Sequence, residues 1–208
     1  MRSTDTRKAF GYTLIKPPGW ARIPLKEGTE DAVKKIVDEA AEQISEDFPR
    51  DKVIDARMEL YRQLNTSVRE ARRRDGVDLY LPVQPLHGVL VAASFVVAKT
   101  RTRLRDGIGP RDVLLHLVSD SDSMEPLEVD GAPGARSERV LAANPEKGIE
   151  TPSKHVDYVA QVPSAQNSFD WIVVSFNAVG DGNPEGELTA ILVELFDAVM
   201  TTFRWRTE

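Results

Sequence analysis

The chain has 208 residues, of which 41% are hydrophobic and 29% are charged, and its net charge at pH 7 is -6. This balance is typical of a globular protein with enough apolar side chains for a core, and the negative charge argues against non-specific attraction to nucleic acid. The chain contains no cysteine, which excludes disulfide bonds, thiol catalysis and zinc sites built on cysteine.

The length of the chain and its lack of a low-complexity linker indicate one domain. We expect residues 1–9 to be a flexible N-terminus and residues 10–208 to form a single α+β domain. The N-terminus is followed by no apolar run of the kind that a signal peptide needs. The longest apolar stretch, at 89–98, is about half of the roughly 20 residues that cross a bilayer. The sequence therefore predicts a cytoplasmic protein with no membrane span.

The first part of the chain is predicted to form a strand, a turn and two helices. A short strand ends near Ile15, and the Pro17–Pro18–Gly19–Trp20 segment predicts a turn, because proline fixes φ and glycine allows the chain to reverse. After an irregular or extended return, a helix is predicted at 29–47 with Thr29 as its N-cap. A second helix is predicted at 52–74, capped by Asp51 and ended by Gly76, so that the pair forms a hairpin with a very short connection. The apolar stripe of this second helix is Ile54, Met58, Tyr61, Leu64, Val68 and Ala71.

The remaining chain changes mostly to the two-residue period of strands. The near-continuous apolar run at 88–98 predicts a central strand that is covered on both faces, and Asp130–Gly131 predicts a hairpin turn. Residues 111–118 fit either a short helix or a strand. A last helix is predicted at 185–203, with Trp205 tying it to the sheet. The predicted strands lie near 12–15, 78–83, 88–98, 127–130, 136–141, 155–162 and 169–178.

Three segments, taken in their order, resemble the PsbP-like fold family. They are Gly-Tyr-x-Leu-x-x-Pro-Pro-Gly-Trp at 11–20, Val-Asp-Gly-x-Pro at 129–133 with Arg136 following, and Phe169-x-Trp171 followed by a helix and Thr202-Phe203-Arg204-Trp205. This family includes the Ran-binding Mog proteins, the photosystem PsbP proteins and bacterial LpqN-type lipoproteins. The resemblance implies an α/β/α sandwich around a mostly antiparallel sheet, here with an inserted N-terminal helical hairpin. It implies an accessory role through protein contacts and no shared catalytic residues.

The residues most often used in catalysis or metal binding are scattered through the chain. The three histidines, His87, His116 and His155, show no metal-ligand spacing, so each is interpreted as an ordinary surface or core residue. Ser94 lies within an apolar run and is interpreted as a packed hydroxyl. The glycines at 107 and 109 form a turn and lack the Gly-Lys-Ser/Thr of a phosphate loop. The acidic residues Asp120, Asp122 and Glu125 lack the glycine and distal glutamate of a calcium loop. We therefore predict no catalytic, cofactor or metal residues.

Two runs of arginine are the candidate partner-binding residues. One run ends the second helix and the other follows the central strand. Cations also stabilise a helix C-terminus, and charge runs commonly mark solvated faces, so a purely structural role is the alternative. Neither run contains the interleaved aromatic residues that stack on bases, so an acidic protein is favoured over nucleic acid. The candidates are Arg69, Arg72, Arg73, Arg74, Arg101, Arg103 and Arg105.

These observations predict a non-enzymatic binding or accessory module that acts through protein–protein interaction, with an unknown partner and no cofactor. The alternative is a small hydrolase or ligand-binding α+β enzyme whose site is assembled from distant residues. A deep polar pocket that holds one of the three histidines with a carboxylate favours this alternative. A sheet that is packed by helices on both faces argues against it.

Overall fold

The structure is a computed structural model, and it describes residues 9–42, 49–85, 91–101, 110–119, 121–147, 150–163 and 170–207. These residues form an α+β fold that is built around a large antiparallel sheet. The predicted fold class is confirmed at this level. Residues 1–8, which were predicted to be flexible, lie outside the described residues. Ala9 belongs to the fold, because it begins a strand and its backbone N–H donates to the carbonyl of Pro163 over 3.0 Å.

Helices and strands alternate irregularly along the described chain. The helices are α1 (Thr29–Glu42), α2 (Arg50–Arg73), α3 (Pro110–Leu117) and α4 (Glu187–Thr201), with a short 3-10 helix at Pro145–Lys147. The strands are β1 (Ala9–Thr13), β2 (Trp20–Pro24), β3 (Gly76–Pro82), β4 (Ala93–Arg101), β5 (Ser123–Val129), β6 (Ala132–Leu141), β7 (Ser153–Gln161), β8 (Asp170–Ala178) and β9 (Arg204–Thr207).

The large sheet has the strand order β2-β3-β4-β8-β7-β6-β5 in the described part of the chain, and each neighbouring pair is antiparallel. Strands β4 and β8 lie side by side near its centre. A separate ribbon pairs β1 with β9, which brings the two ends of the described chain together. Non-local pairings such as β4 with β8 place residues that are far apart in sequence next to each other on one sheet face.

Helix α4 covers one face of the large sheet through an aromatic core. Phe176 of β8 stacks on Phe196 of α4 with 4.7 Å between ring centroids, and Phe95 of β4 packs at 5.6 Å from the same ring. The ribbon extends this layer, because Tyr12 of β1 stacks on Phe203 with 5.4 Å between centroids. Large aromatic side chains bury much area, so this layer is the main core of the protein.

The other face of the large sheet carries the remaining helices. Helices α1 and α2 pack together and against β2 and β3 through a second buried cluster that includes Ile23, Val33 and Val68. Helix α3 packs at a different place, where Val113 joins Trp171 of β8 in a third cluster. The protein therefore has three layers, with α1, α2 and α3 on one side of the sheet and α4 with the ribbon on the other.

The central strand is covered less completely than predicted. Phe95 and Val97 of β4 are buried under α4, but Ser94, Val96 and Ala98 on the opposite face are only half-buried. The prediction that both faces are covered therefore holds for the α4 face and only in part for the opposite face, where Val96 packs against the second cluster. The face is left partly open because α2 lies mainly over β2 and β3, while α3 lies over β7 and β8. Residues 88–90 of the predicted strand lie outside the described residues.

The ends of the first two helices also differ from the predictions. The hydroxyl of Thr29 donates to the carbonyl of Pro24 over 2.7 Å instead of capping α1, and α2 begins after Pro49 with no side-chain cap. Asp75, rather than Gly76, takes the left-handed conformation at the end of α2. Gly76 is required for space, since a Cβ atom there would lie 2.7 Å from the carbonyl oxygen of Ala71. The predicted connection of the two helices, at 43–48, lies outside the described residues.

The last few residues form a strand that was not predicted from the sequence. Helix α4 ends at Thr201, and Trp205 lies half-buried on β9 opposite Tyr12. Its indole Nε1 donates to the carbonyl of Val129 over 3.0 Å. Trp205 therefore ties the ribbon to the sheet, whereas it was predicted to tie the last helix to the sheet. Residues 110–117 form a helix, which settles the choice left open for that segment.

Candidate functional sites

The first half of α2 carries a row of exposed apolar side chains beside α1. Ile54, Met58 and Tyr61 are 57%, 67% and 47% exposed, and their spacing places them on one side of the helix. Between this row and α1 lies a groove of about 630 Å³. We call it the α1–α2 groove, and it is lined by Lys34, Val37, Asp38, Asp55, Arg57, Met58, Glu59, Tyr61 and Arg62.

The exposure of Ile54, Met58 and Tyr61 shows that the apolar stripe predicted for α2 is not buried along its whole length. Leu64, Val68 and Ala71 in the second half of the helix are buried as the stripe predicts. The first three members of the stripe extend past the packed core and face outwards. Scattered exposed apolar residues are normal, but here Met58 and Tyr61 line one groove and Ile54 lies one helical turn before Met58, and adjacent exposed apolar residues commonly mark an interaction surface.

The arginines that were predicted to bind a partner have several different environments. Arg72 is held by the fold, because its Nε donates to the carbonyl of Leu25 over 2.7 Å and its Nη2 donates to the hydroxyl of Thr29 over 2.8 Å. Arg69 is exposed and donates to Thr66 over 3.1 Å. Arg73 and Arg74 are exposed at the end of α2. Of the second run, Arg101 is described only as backbone of β4, and Arg103 and Arg105 lie outside the described residues.

Polar residues form two adjacent rows across the partly open face of the sheet. Because cross-strand partners lie directly opposite each other, their Cβ atoms are about 5 Å apart. The first row crosses β6, β7, β8 and β4, and the second crosses the same strands two residues further along each of them. The first row is Arg139, His155, Asn177 and Ser94. The second is Ser137, Asp157 and Ser175, and it ends beside the apolar Val96 of β4.

The end of α2 stands over part of these rows and encloses a cleft of about 330 Å³. We call it the polar cleft. Its sheet side presents His155, Asn177 and Ser175 beside apolar side chains, and its helix side presents Glu70 and Arg74. The complete lining is Ser67, Glu70, Ala71, Arg74, Asp75, Leu79, Ser94, Val96, Ala98, Thr100, His155, Val173, Ser175, Phe176 and Asn177.

Buried polar atoms without a partner concentrate on this face of the sheet. Among the described residues, five buried side-chain atoms have no hydrogen-bond partner, and all five belong to strands β6, β7 and β8. The register places all five side chains on the face opposite α4. Since buried polar groups are nearly always hydrogen-bonded, such a concentration marks a special place in the fold. The atoms are Arg139 Nε, His155 Nε2, Asp157 Oδ1, Trp171 Nε1 and Asn177 Oδ1.

The imidazole of His155 is neutral at pH 7. The residue is only 5% exposed, and burial together with the charge of Arg139 lowers its pKa to about 4. Asp157 opposes this shift only in part. A neutral imidazole has one donating and one accepting nitrogen, so His155 can exchange hydrogen bonds with an uncharged group.

The ionic networks on the opposite face are satisfied within the protein. Arg136 of β6 binds Asp197 of α4 through two hydrogen bonds of 2.9 Å, and Tyr158 donates to the same carboxylate over 2.9 Å. Burial lowers the pKa of Arg136, but its hydrogen bonds to Asp197 and Glu138 outweigh this effect and raise the pKa. Burial and the charge of Asp197 raise the pKa of Tyr158. This network attaches α4 to the sheet.

A second satisfied network lies under the ribbon. Asp78 of β3 accepts a hydrogen bond from Arg22 Nε over 2.8 Å and another from the hydroxyl of Tyr12. Burial and the neighbouring Tyr80 raise the pKa of Tyr12, so its hydroxyl keeps its proton at physiological pH. The buried carboxylate is thus paired within the fold, and this network explains how β1 is held against β3.

The described residues that were considered for metal or calcium binding form no metal-binding cluster in the structure. No cluster of three histidine, aspartate or glutamate side chains suited to a metal ion occurs in the described ranges. His116 is exposed on α3, His87 and Asp120 lie outside those ranges, and Asp122 accepts a hydrogen bond from the backbone N–H of Val140 over 2.9 Å. Among the described helices, none has the length and apolar character needed to cross a membrane.

Of the side chains in the polar rows, only Ser94 and His155 are candidates from the sequence alone. A usable signal existed in β7 and β8, where polar residues alternate with buried apolar ones: His155 and Asp157 in one strand, Ser175 and Asn177 in the other. Each pair taken alone is typical of a solvent-facing strand side. Only the pairing of β7 with β8 brings them together.

Comparison with known proteins gives no family for this chain. No protein-family model matches it, and no curated protein matches it either. The resemblance to PsbP-like proteins therefore stays a proposal, and the functional argument depends on the surfaces described above.

Proposed function

We propose that this protein is a binding module that docks an amphipathic helix of a protein partner in the α1–α2 groove. The observation that carries the proposal is the exposed row Ile54, Met58 and Tyr61 beside α1. In helix-in-groove recognition an amphipathic helix lays its apolar face into an apolar groove, and Val37, Met58 and Tyr61 supply apolar lining for such a face. The PsbP-like resemblance, with its implied accessory role, points to the same class of function.

Two arginines beyond the apolar row indicate which charges the partner carries. Arg62 and Arg69 follow Met58 at four and eleven residues, which places them on the same side of α2. Both arginines are exposed. The proposed partner helix therefore has an apolar face for the row and carboxylates opposite Arg62 and Arg69. This deepens the sequence-based expectation of an acidic partner, and it replaces Arg72, which the fold already uses.

The groove is lined by charges of both signs, which favours one orientation of the partner. Arg57 forms an ion pair with Asp38 of α1, and Arg62 forms one with Glu59 over 2.6 Å. Exposed pairs of this kind add little to stability. They remain available for exchange with charges on a partner and contribute mainly to specificity and to the rate of association.

The polar cleft has one feature expected for the hydrolase alternative, since His155 lines it together with Glu70 and Asp75, but it lacks the contacts of an activated nucleophile. An activated nucleophile needs a hydrogen bond to its base, and the Nε2 atom of His155 has no hydrogen-bond partner in the described part of the chain. The polar cleft supports a role in ligand binding instead, which is a separate question from docking at α2.

The test places a photo-crosslinking amino acid at Met58 in the native cell and, in a parallel protein, at Ile191 of α4. Ile191 is a matched control because it is also an apolar helix residue and is 50% exposed. A protein that crosslinks at position 58 only is then purified, and its affinity is measured by calorimetry. We expect the double variant Ile54→Ser, Met58→Ser to weaken binding by at least about 100-fold, since it removes two apolar anchors of the interface.

The variant Ile191→Ser should keep the affinity of the parent. Arg69→Glu should weaken binding about tenfold at low salt and less at high salt, because screening reduces interactions between exposed charges. Equal binding by the parent and the double variant would contradict the proposal. Crosslinking of position 58 to a second copy of this chain alone would also contradict it, since the groove would then be a dimer interface.

A further inference from the structure

The polar cleft has the features of a second binding site, distinct from the α1–α2 groove. We propose that the cleft binds a small, neutral, polyhydroxylated ligand of about monosaccharide size through the neighbouring side chains of His155 and Asn177. The proposal stands on the enclosure of the cleft, on the unpartnered polar atoms beside it and on the balance of its charges.

The cleft is large enough for such a ligand and is enclosed on two sides. Its volume of about 330 Å³ lies at the lower end of the range of roughly 300–1,000 Å³ that is usual for small-molecule sites. Val96, Ala98 and Val173 give it an apolar floor, and α2 supplies the opposing wall. Ligand sites commonly combine such a floor with a few polar groups that fix orientation.

The polar groups of the cleft are positioned but not satisfied. His155 is only 5% exposed. Neither its Nε2 atom nor the Oδ1 atom of Asn177 has a hydrogen-bond partner among the described residues. The two residues are direct cross-strand partners of β7 and β8, so one ligand can reach both. Leaving such atoms unpaired costs stability, and a ligand that pairs with them offsets this cost.

Both unpartnered atoms lie just below the surface of the cleft, because each is inaccessible while its residue lines the space. A turn of the Asn177 amide and of the imidazole toward the cleft therefore accompanies binding. The hydroxyl groups of Ser94 and Ser175, which are half-buried in the same lining, provide further contacts. Ser175 of the second row thus adds a polar contact to those of the first row at the base of the cleft.

The charges around the cleft favour a neutral ligand over an ion. Arg74, Glu70 and Asp75 in its lining carry both signs, and the imidazole of His155 is uncharged at pH 7. Burying an ion needs a net opposite charge that is itself buried, and the cleft does not supply one. A hydroxyl group donates and accepts at the same time, so it suits the accepting Oδ1 of Asn177 and either nitrogen of the imidazole.

The test follows the imidazole signals of the full-length protein by NMR while single probes are added. The chain has only three histidines, so the signal of His155 is assigned by its loss in His155→Gln. The neutral probes are D-ribose, D-glucose and glycerol, and the charged probes are inorganic phosphate and ethanolamine, each to about 50 mM, well above a millimolar Kd. We expect at least one neutral probe to shift the His155 signal saturably while the signal of His116 stays unchanged.

A matched pair of variants separates a binding role from a structural one. Asn177→Leu removes an unpartnered amide oxygen, so we expect it to weaken binding of the best probe by at least about tenfold and to raise the melting temperature by about 2–6 °C. Asn65→Leu makes the same substitution outside the cleft and should leave probe affinity unchanged. Ser94→Ala removes one half-buried hydroxyl of the lining. It should lower the affinity for the probe about fivefold without loss of the fold.

Three results would overturn the proposal. The first is a His155 signal that no neutral probe shifts. The second is saturable binding by the charged probes alone, which would place an ion in the cleft. The third is a probe affinity that stays at the parent value in both Asn177→Leu and Ser94→Ala, because neither side chain would then touch the ligand.

Discussion

Acidification should destabilise this protein through His155 well before its carboxylates are protonated. Burial lowers the pKa of His155 to about 4 in the folded chain, against about 6.5 in an unfolded chain. Above pH 6.5 both states are neutral, and the histidine adds no pH dependence. As the pH falls from 6.5 to 4, the unfolded chain takes up a proton that the folded chain refuses, so the free energy of unfolding decreases.

The size of this effect follows from the difference between the two pKa values. Each pKa unit corresponds to about 1.4 kcal/mol, so the full loss below pH 4 is about 3 kcal/mol, and the loss between pH 7.5 and pH 5 is about 2 kcal/mol. The charged groups that act on the imidazole are Arg139 on β6, Asp157 on β7 and Arg74 on α2. The effect of burial is the largest, so the direction of the shift does not depend on a single ion pair.

The assay is urea denaturation of the parent, His155→Gln and His116→Gln at pH 7.5 and pH 5. The parent and His116→Gln should lose stability between the two values, whereas His155→Gln should lose about 2 kcal/mol less. Comparing the change in unfolding free energy between the two pH values removes the cost of the substitution itself, because that cost is the same at both pH values. An equal loss in the parent and in His155→Gln would refute the argument, since it would show that the imidazole is not buried as a neutral group.

Two further predictions concern contacts outside the clefts. Arg72→Met should lower the free energy of unfolding by about 1–3 kcal/mol, because the side chain donates hydrogen bonds to Leu25 before α1 and to Thr29 at its start. Arg73→Met, on an exposed neighbour, should change it by less than about 0.5 kcal/mol, and equal effects in urea denaturation would contradict this. Trp205→Ala should lower the free energy of unfolding by about 2 kcal/mol, because Trp205 is half-buried and donates one hydrogen bond to the β5 carbonyl of Val129. This loss is below the roughly 3–5 kcal/mol of a fully buried aromatic residue. An unchanged melting temperature would show that β9 does not hold the ribbon.

Local patterns in the sequence predict most elements of the large sheet and the helices that cover it. The apolar stripe of α2 correctly identifies Leu64, Val68 and Ala71 as core. The same stripe gives the wrong burial for Ile54, Met58 and Tyr61, because helical periodicity shows that one side is apolar and does not show what covers it. Coverage depends on how far the helix extends past the sheet, which is a property of the whole fold.

Elements that depend on distant partners are harder to predict. Strand β9 has only four residues, and its pairing partner β1 lies at the other end of the described chain. Its Arg-Trp-Arg-Thr sequence continues the preceding helix without a proline or glycine to mark the end. The polar rows are non-local in the same way, since each of the four strands contributes one or two residues to them. Neither feature has a local signature strong enough to stand alone.

The most direct test of the proposed docking function is the affinity of the protein captured at position 58 for the parent and for the double variant Ile54→Ser, Met58→Ser. Calorimetry with purified components should show at least about 100-fold weaker binding by the double variant, while Ile191→Ser binds like the parent. Circular dichroism should show the same melting temperature for all three within about 2 °C, because the substituted side chains are at least half exposed. An unchanged affinity in the double variant would contradict the account and place the partner surface elsewhere on the molecule.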